Sequence, residues 1–202
     1  MVNASAKSDL AKMKPIISPN IRIRYPDRFE VGNFSIVDDY CYFSTCVKIG
    51  FCSHVGNNCS IGGGRERLFL LGDFSSLSAG VKVWCTSNDF ANDLVAIIPS
   101  GVEVGDKPIT GDVVFENYTG AGANSVVMPD NVVPEGTTIG ALSYVPARFP
   151  FDPWSVYAGV PIRRVGARNR ERVLAQVESI RQRLNQLSTQ SRAAASPGGN
   201  PS

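Results

Sequence analysis

The chain has 202 residues, a net charge of +2 and 43% apolar residues, the make-up of a globular domain with a sizeable core. That near balance of charge leaves no basic footprint for nucleic acid or a membrane surface. No apolar run of about eighteen residues is present to span a bilayer, and no signal peptide precedes the domain, so the expected location is cytoplasmic. Five cysteines, an odd number with no CxxC spacing, argue against a disulfide framework.

Residues 1–30 form the first segment, read as an N-terminal cap. Pro15, Pro19 and Pro26 favour extended chain and turns over a long helix. Ile21-Arg22-Ile23-Arg24-Tyr25 alternates like a short strand, suited to covering a sheet edge.

A six-residue rhythm begins at Val31. Large apolar residues recur at Val31, Val37, Phe43, Ile49, Val55 and Ile61, again at Leu71, Leu77 and Val83, and from Ile109 through Phe115, Ala121, Val127, Val133 and Ile139 to Val145. Small or β-branched residues follow four positions later, among them Ser35, Cys41, Val47, Ser53, Cys59, Ser75 and Ser125. Residues an even number apart on a strand share a face, so both members of each pair point inward. This is neither a helical nor an ordinary amphipathic period. It predicts a coil of stacked turns, each with three short sides. The ten-residue step from Ile61 to Leu71 predicts a bulge or loop at Gly62–Arg67. After Val83 the beat stops until Ile109. The apolar content of that stretch (Phe90, Leu94, Val95, Ile97, Ile98) predicts an ordered loop that packs against something.

Pro150 and Pro153 mark the exit from the coil. Val173, Leu174, Val177, Ile180, Leu184 and Leu187 then recur at three and four, the stripe of an α-helix over about 169–187. The Ser-, Ala-, Gly- and Pro-rich tail, 188–202, is expected to be disordered.

The repeat, together with Tyr157-Ala158-Gly159-Val160-Pro161-Ile162, resembles the hexapeptide-repeat acyltransferases, whose closing motif reads AGxPA; Ile162 stands here where Ala is usual. The resemblance covers about residues 31–168. It implies an all-β fold, a left-handed parallel β-helix of about five turns followed by a C-terminal α-helix. It also implies coenzyme A or acetyl-CoA as co-substrate and a homotrimer with active sites between subunits. Ser78 and the stretch Trp84-Cys85-Thr86-Ser87-Asn88-Asp89-Phe90 are similar to members that acylate nucleotide-linked amino sugars for O-antigen assembly. In some members of that group a serine and an aspartate near the sugar amine orient it, and no protein base is used. The resemblance places those roles on Ser78 and on Asn88 or Asp89. The bland alternatives are a turn residue for Ser78 and a loop-start cap for Asp89.

The single histidine, His54, rules out the three-histidine zinc site of lyases with this fold, so no metal is expected. Neither position where relatives keep a histidine base has one, and His54 reads as a surface residue. An alcohol needs a base to attack a thioester. An amine with a pKa near 8 is partly neutral and attacks when held in line. The sequence therefore favours an amino acceptor, which the resemblance implies is a nucleotide-linked amino sugar. O-acetyl transfer to a sugar hydroxyl and a non-catalytic scaffold are the alternatives. Gly122-Ala123 and Gly140-Ala141, eighteen residues apart, are expected to stack and admit the pantetheine arm. Arg163, Arg164 and Arg168 are expected to pair with its phosphates.

Overall fold

The alternating short strands close into a three-sided coil. The computed structural model describes residues 14–195, so the expectations for residues 1–13 and 196–202 lie outside the described residues. One side stacks Ile16–Ile17, Ile36–Val37, His54–Val55, Ser76–Leu77, Gly120–Ala121, Thr138–Ile139 and Ser155–Ala158 in parallel register. The second side carries Arg22–Ile23, Lys82–Trp84, Val126–Val127 and Tyr144–Val145. The third carries Phe29–Val31, Val113–Phe115 and Asn131–Val133. The long strands Tyr42–Ile49 and Ser60–Leu71 run round the corner between these two sides.

The inward positions are those the rhythm names. Phe43, Val55, Ile61, Leu77, Val83, Phe115 and Val127 are wholly buried, as are the partners Ser35, Val47, Cys59 and Ser125. Serine suits the small slot for a physical reason. Each strand bends at a corner, where backbone groups lose ladder partners, and a short hydroxyl donates to one and accepts from another. Ser35 Oγ donates to Gly50 O at 2.6 Å and accepts from Ser53 N at 2.9 Å; Ser53 Oγ repeats this with Gly72 O and Ser75 N.

The coil begins one turn earlier than the rhythm from Val31 implies. Ile17 and Ile23 are hexad leaders, paired with Val37 and Phe43. A 3-10 turn at Pro26–Arg28 lengthens the step to Val31, which disguises their phase. The region read as a cap thus supplies a complete turn from residue 16 onward. At 62–67 the expected bulge is present. Register shifts against Ser44–Cys46 absorb the extra residues, and Phe69 takes the inward slot where the uninterrupted count would put Arg65. Arg65 instead reaches out to pair with Asp27 of the first turn, its guanidinium 5.5 Å from the Tyr25 ring centroid.

The loop 88–108 leaves the coil through an antiparallel neck, Thr86–Ser87 against Ile109–Thr110. Ile109 therefore belongs to the neck, and the coil resumes at Val113. Phe90, Leu94, Val95, Ile97, Val102 and Val104 are all exposed on the single chain, where packing had been expected. Tyr157 closes the lower end of the coil. It lies 3% exposed against Phe149 and Phe151, with its hydroxyl bound to Asp152 N at 2.9 Å.

The helix α1 (Arg170–Ala195) is a separate unit from the coil of residues 15–168. Asn169 Oδ1 accepts from Arg172 N at 2.9 Å at its start. Val177 and Leu187 are buried, as the stripe predicts, and the helix continues past Leu187 through residues expected to be disordered.

Candidate functional site

Three edges join the three sides, and the edge between the first and second sides gathers most of the sequence-predicted residues. Backbone bonds put Asp38, Gly56, Ser78, Gly122, Gly140 and Ala158 in one column. Asp38 N donates to Val55 O, Gly56 N to Leu77 O, Ser78 N to Ala121 O, Gly122 N to Ile139 O and Gly140 N to Tyr157 O, all at 2.7–2.9 Å. The floor of this edge from Gly56 to Ala158 thus carries only small side chains. Ser78 is exposed with its hydroxyl at the surface, and its carbonyl accepts from the buried Cys59 thiol at 3.2 Å. The neighbouring Cys41 sulfur and burial push that thiol upward, so it remains a donor.

The expected stacking of Gly122-Ala123 on Gly140-Ala141 is present, and the geometry adds a reason for the glycines. A Cβ on Gly122 would lie 2.3 Å from Ala141 N, and one on Gly140 2.9 Å from Ala158 Cβ. The glycines let consecutive turns approach; Ala123 and the exposed Ala141 form the outer surface.

Arg163 and Arg164 stand at the foot of the same edge. Their strand, Arg163–Ala167, turns back antiparallel on Ser155–Ala158, with Arg163 opposite Ala158. Both are exposed, and Arg164 Nε donates to Ser155 Oγ at 3.0 Å. Arg168 is placed elsewhere. It lies on the edge between the third and first sides, where Phe34, Phe51, Phe74, Tyr118 and Trp154 stack with ring centroids 5.4–6.1 Å apart. Its Nη1 donates to the carbonyls of Tyr118 and Gly136, and burial lowers the pKa of its guanidinium. This arrangement ties three turns together, since Arg168 N also donates to Trp154 O at 2.8 Å.

Asn88 and Asp89 do not meet Ser78 within the chain. They follow the neck, on the edge between the second and third sides, with the strand Lys82–Trp84 between them and Ser78. Asp89 caps the first turn of the loop. Its carboxylate accepts from Asn92 Nδ2 at 2.7 Å and Ala91 N at 2.9 Å, and these bonds, the Asn92 amide first, hold it below the usual carboxylate range. Asn88 is half-buried beside it.

One feature of this edge was not singled out from the sequence. His54 Nε2 lies 2.8 Å from Asp38 Oδ2, at the head of the Ser78 column. Asp38 and His54 sit on adjacent turns but not in register, so the eighteen-residue spacing that reveals stacked pairs does not reveal this one. Among the described residues, no group of His, Cys, Asp and Glu is disposed to hold a metal ion.

No family model matches the chain. An Escherichia coli dTDP-4-amino-4,6-dideoxy-D-glucose acyltransferase is 25% identical over 159 residues, 76% of this chain and 78% of its own length. The solved structure of AntD, an N-acyltransferase from Bacillus cereus in complex with dTDP and 3-hydroxybutyryl-CoA, superposes with a TM-score of 0.75. It is 30% identical over 83% of this chain and 87% of AntD. The chain belongs to the hexapeptide-repeat acyltransferases. As in that family, its coil is the left-handed parallel β-helix. A serine-to-cysteine variant of AntD, in complex with dTDP-4-amino-4,6-dideoxyglucose and coenzyme A, matches with the same TM-score and identity and is covered over 88% of its length. Among the described residues, no helix of this acyltransferase is long and apolar enough to cross a membrane.

Proposed function

We propose that this protein transfers an acyl group from an acyl-coenzyme A to the amino group of a nucleotide-linked amino sugar, in the cytoplasm. The observation that carries this reading is the 30% identity, over most of both chains, to an N-acyltransferase crystallised with a dTDP-amino sugar and coenzyme A. The edge geometry agrees with it. The pantetheine arm lies along Ala123 and Ala141, with its phosphates at Arg163 and Arg164, and brings the thioester up to Ser78. Arg168, occupied with backbone carbonyls, supports the last turns and not the cofactor. The acyl group proposed is acetyl; the 3-hydroxybutyryl-CoA bound to AntD makes a longer acyl group the first comparison.

The reaction needs a neutral amine held in line with the thioester carbonyl. The nitrogen lone pair forms the new C–N bond, the C–S bond breaks, and the departing thiolate or a water takes the amine proton. Correct placement accounts for much of the rate, and a displacement of about 1 Å costs a hundredfold. Ser78 supplies one orienting hydrogen bond. The second comes from Asn88 or Asp89 of a neighbouring copy. Closed threefold assembly of such prisms lays the exposed loop 88–108 of one copy over the Ser78 edge of the next. The apolar loop residues left uncovered on the single chain support this assembly. AntD variants have been made at a serine and at an aspartate ten residues apart, the separation of Ser78 and Asn88. Asp89 is already spent on the loop's own cap. Both facts favour Asn88 as the residue that meets the acceptor.

The Asp38–His54 pair favours a second reading, O-acyl transfer with His54 as base, because a carboxylate-oriented imidazole is the usual activator of a hydroxyl. Steady-state rates with amino and hydroxy forms of one dTDP-sugar separate the two. On the first reading only the amino sugar is acylated, His54→Asn keeps most of the activity, and Asn88→Ala loses far more than Ser78→Ala. Loss of two to four orders of magnitude in His54→Asn, with the others near wild type, would establish the second.

A further inference from the structure

The upper end of the same edge holds a cavity that nothing above employs. It is an open surface hollow of about 460 Å³, lined by Asn20, Ile21, Arg22, Tyr40, Cys41 and Tyr42. Tyr40 is 68% exposed and sits at φ 61°, the left-handed corner conformation that Asn58, Gly80, Asn124 and Leu142 repeat on the turns below. Arg22 is exposed and Tyr42 half-buried on the adjacent strand. The tips stack directly: Tyr40 N donates to Asn20 O at 2.8 Å, and Asn58 N to Asp39 O at 3.0 Å.

Resting on the reading above, we propose that this cavity binds the nucleoside diphosphate end of the acceptor. Arg22 pairs with the diphosphate through its planar fork. Tyr40 and Tyr42 pack against the base, since an aromatic face stacks on any base. The spacing fits. Tyr40 belongs to the second turn and Ser78 to the fourth, and two steps of stacked strands span about 10 Å. The sugar ring and the diphosphate bridge that distance, which brings the ribose and base up to Tyr40. The turn between them presents Gly56, which packs closely on the backbone of Ser78 and Ala79 and adds no side chain to the edge, and the Asp38–His54 pair stands beside it, where sugar hydroxyls find both donor and acceptor. Asp39 is the anionic neighbour. Its carboxylate is bonded to the Ser18 hydroxyl and to Asn20 Nδ2 at 3.0 Å, so it faces the first turn, and the diphosphate takes the Arg22 side. Acceptor and coenzyme A thus enter from opposite ends of one edge and meet at Ser78.

The test is calorimetric titration of thymidine diphosphate and, separately, of coenzyme A into wild type, Arg22→Ala and Tyr40→Asn; asparagine suits the left-handed tip. Each variant should bind thymidine diphosphate about tenfold more weakly and raise KM for the dTDP-amino sugar, with kcat and coenzyme A affinity near wild type. If wild type acylates the sugar amine while both variants bind thymidine diphosphate like wild type, the cavity is not the nucleotide site and the proposed function stands. If wild type neither binds thymidine diphosphate nor acylates the amine, both proposals fall.

Discussion

Replacing Arg168 by alanine should destabilise the coil and leave coenzyme A binding intact. The guanidinium donates through Nη1 to the carbonyls of Tyr118 and Gly136, on consecutive turns of the aromatic edge. A hydrogen bond from a charged donor contributes about 1.5–3 kcal/mol when desolvated. Arg168 is half-buried, the two bonds share one nitrogen, and water can reach the carbonyls after truncation, so the lower end applies to the pair. The expected loss is about 1.5–2 kcal/mol, or roughly 3–8 °C in Tm for a domain of this size. Urea unfolding followed by Trp154 fluorescence in a Trp84→Phe background reports on the affected edge, because Trp154 O accepts from Arg168 N. Hydrogen exchange should show weaker protection at the amides of Gly136 and Trp154, which bond to Asn117 O and Glu135 O there. Unchanged stability with a tenfold loss of coenzyme A affinity would refute this reasoning and return Arg168 to the phosphate site.

Three other outcomes follow from the same geometry. Replacing Arg163 and Arg164 together by alanine should weaken coenzyme A about ten- to a hundredfold in a direct titration with little change in Tm, since both side chains are exposed; equal affinity would remove them from the site. Phe115→Ala should cost about 3–5 kcal/mol in chemical denaturation, because the ring is fully buried with its centroid 6.0 Å from that of Phe69 and a rigid stack collapses poorly. Light scattering should give a trimer for wild type, and Phe90→Ser with Ile97→Ser in the loop should weaken assembly and activity together; a monomeric, fully active wild type would contradict active sites between subunits.

The stacking of the candidate site residues was legible once the rhythm was read as turns. Gly122 over Gly140 follows from an eighteen-residue spacing, because one turn of three hexads repeats every column. Ser78 belongs to that column too, and Arg163 reaches it because the strand after the closing motif folds back on Ser155–Ala158. Arg168 stands apart from them for the opposite reason. Nothing in its local sequence separates it from Arg163 and Arg164, but the strand Arg163–Ala167 carries it across a whole side to another edge.

The sequence by itself determined the stacked, three-sided coil, while its left hand followed from the family resemblance. A six-residue period turns large and small partners inward together when the chain coils in three short sides, and it survives the insertions at 62–67 and 88–108 because those bulge or loop out of the coil. Tertiary structure alone decided what depends on distance between turns or edges. It showed that residues 16–31 supply a turn, since a 3-10 corner of extra residues hides the period. It tied Asp89 to its own loop and set Asp38 against His54, because a side chain's partner lies wherever the neighbouring turn brings it. It also parted Ser78 from Asn88, ten residues along the chain but on different edges, because each strand of this fold ends at a corner.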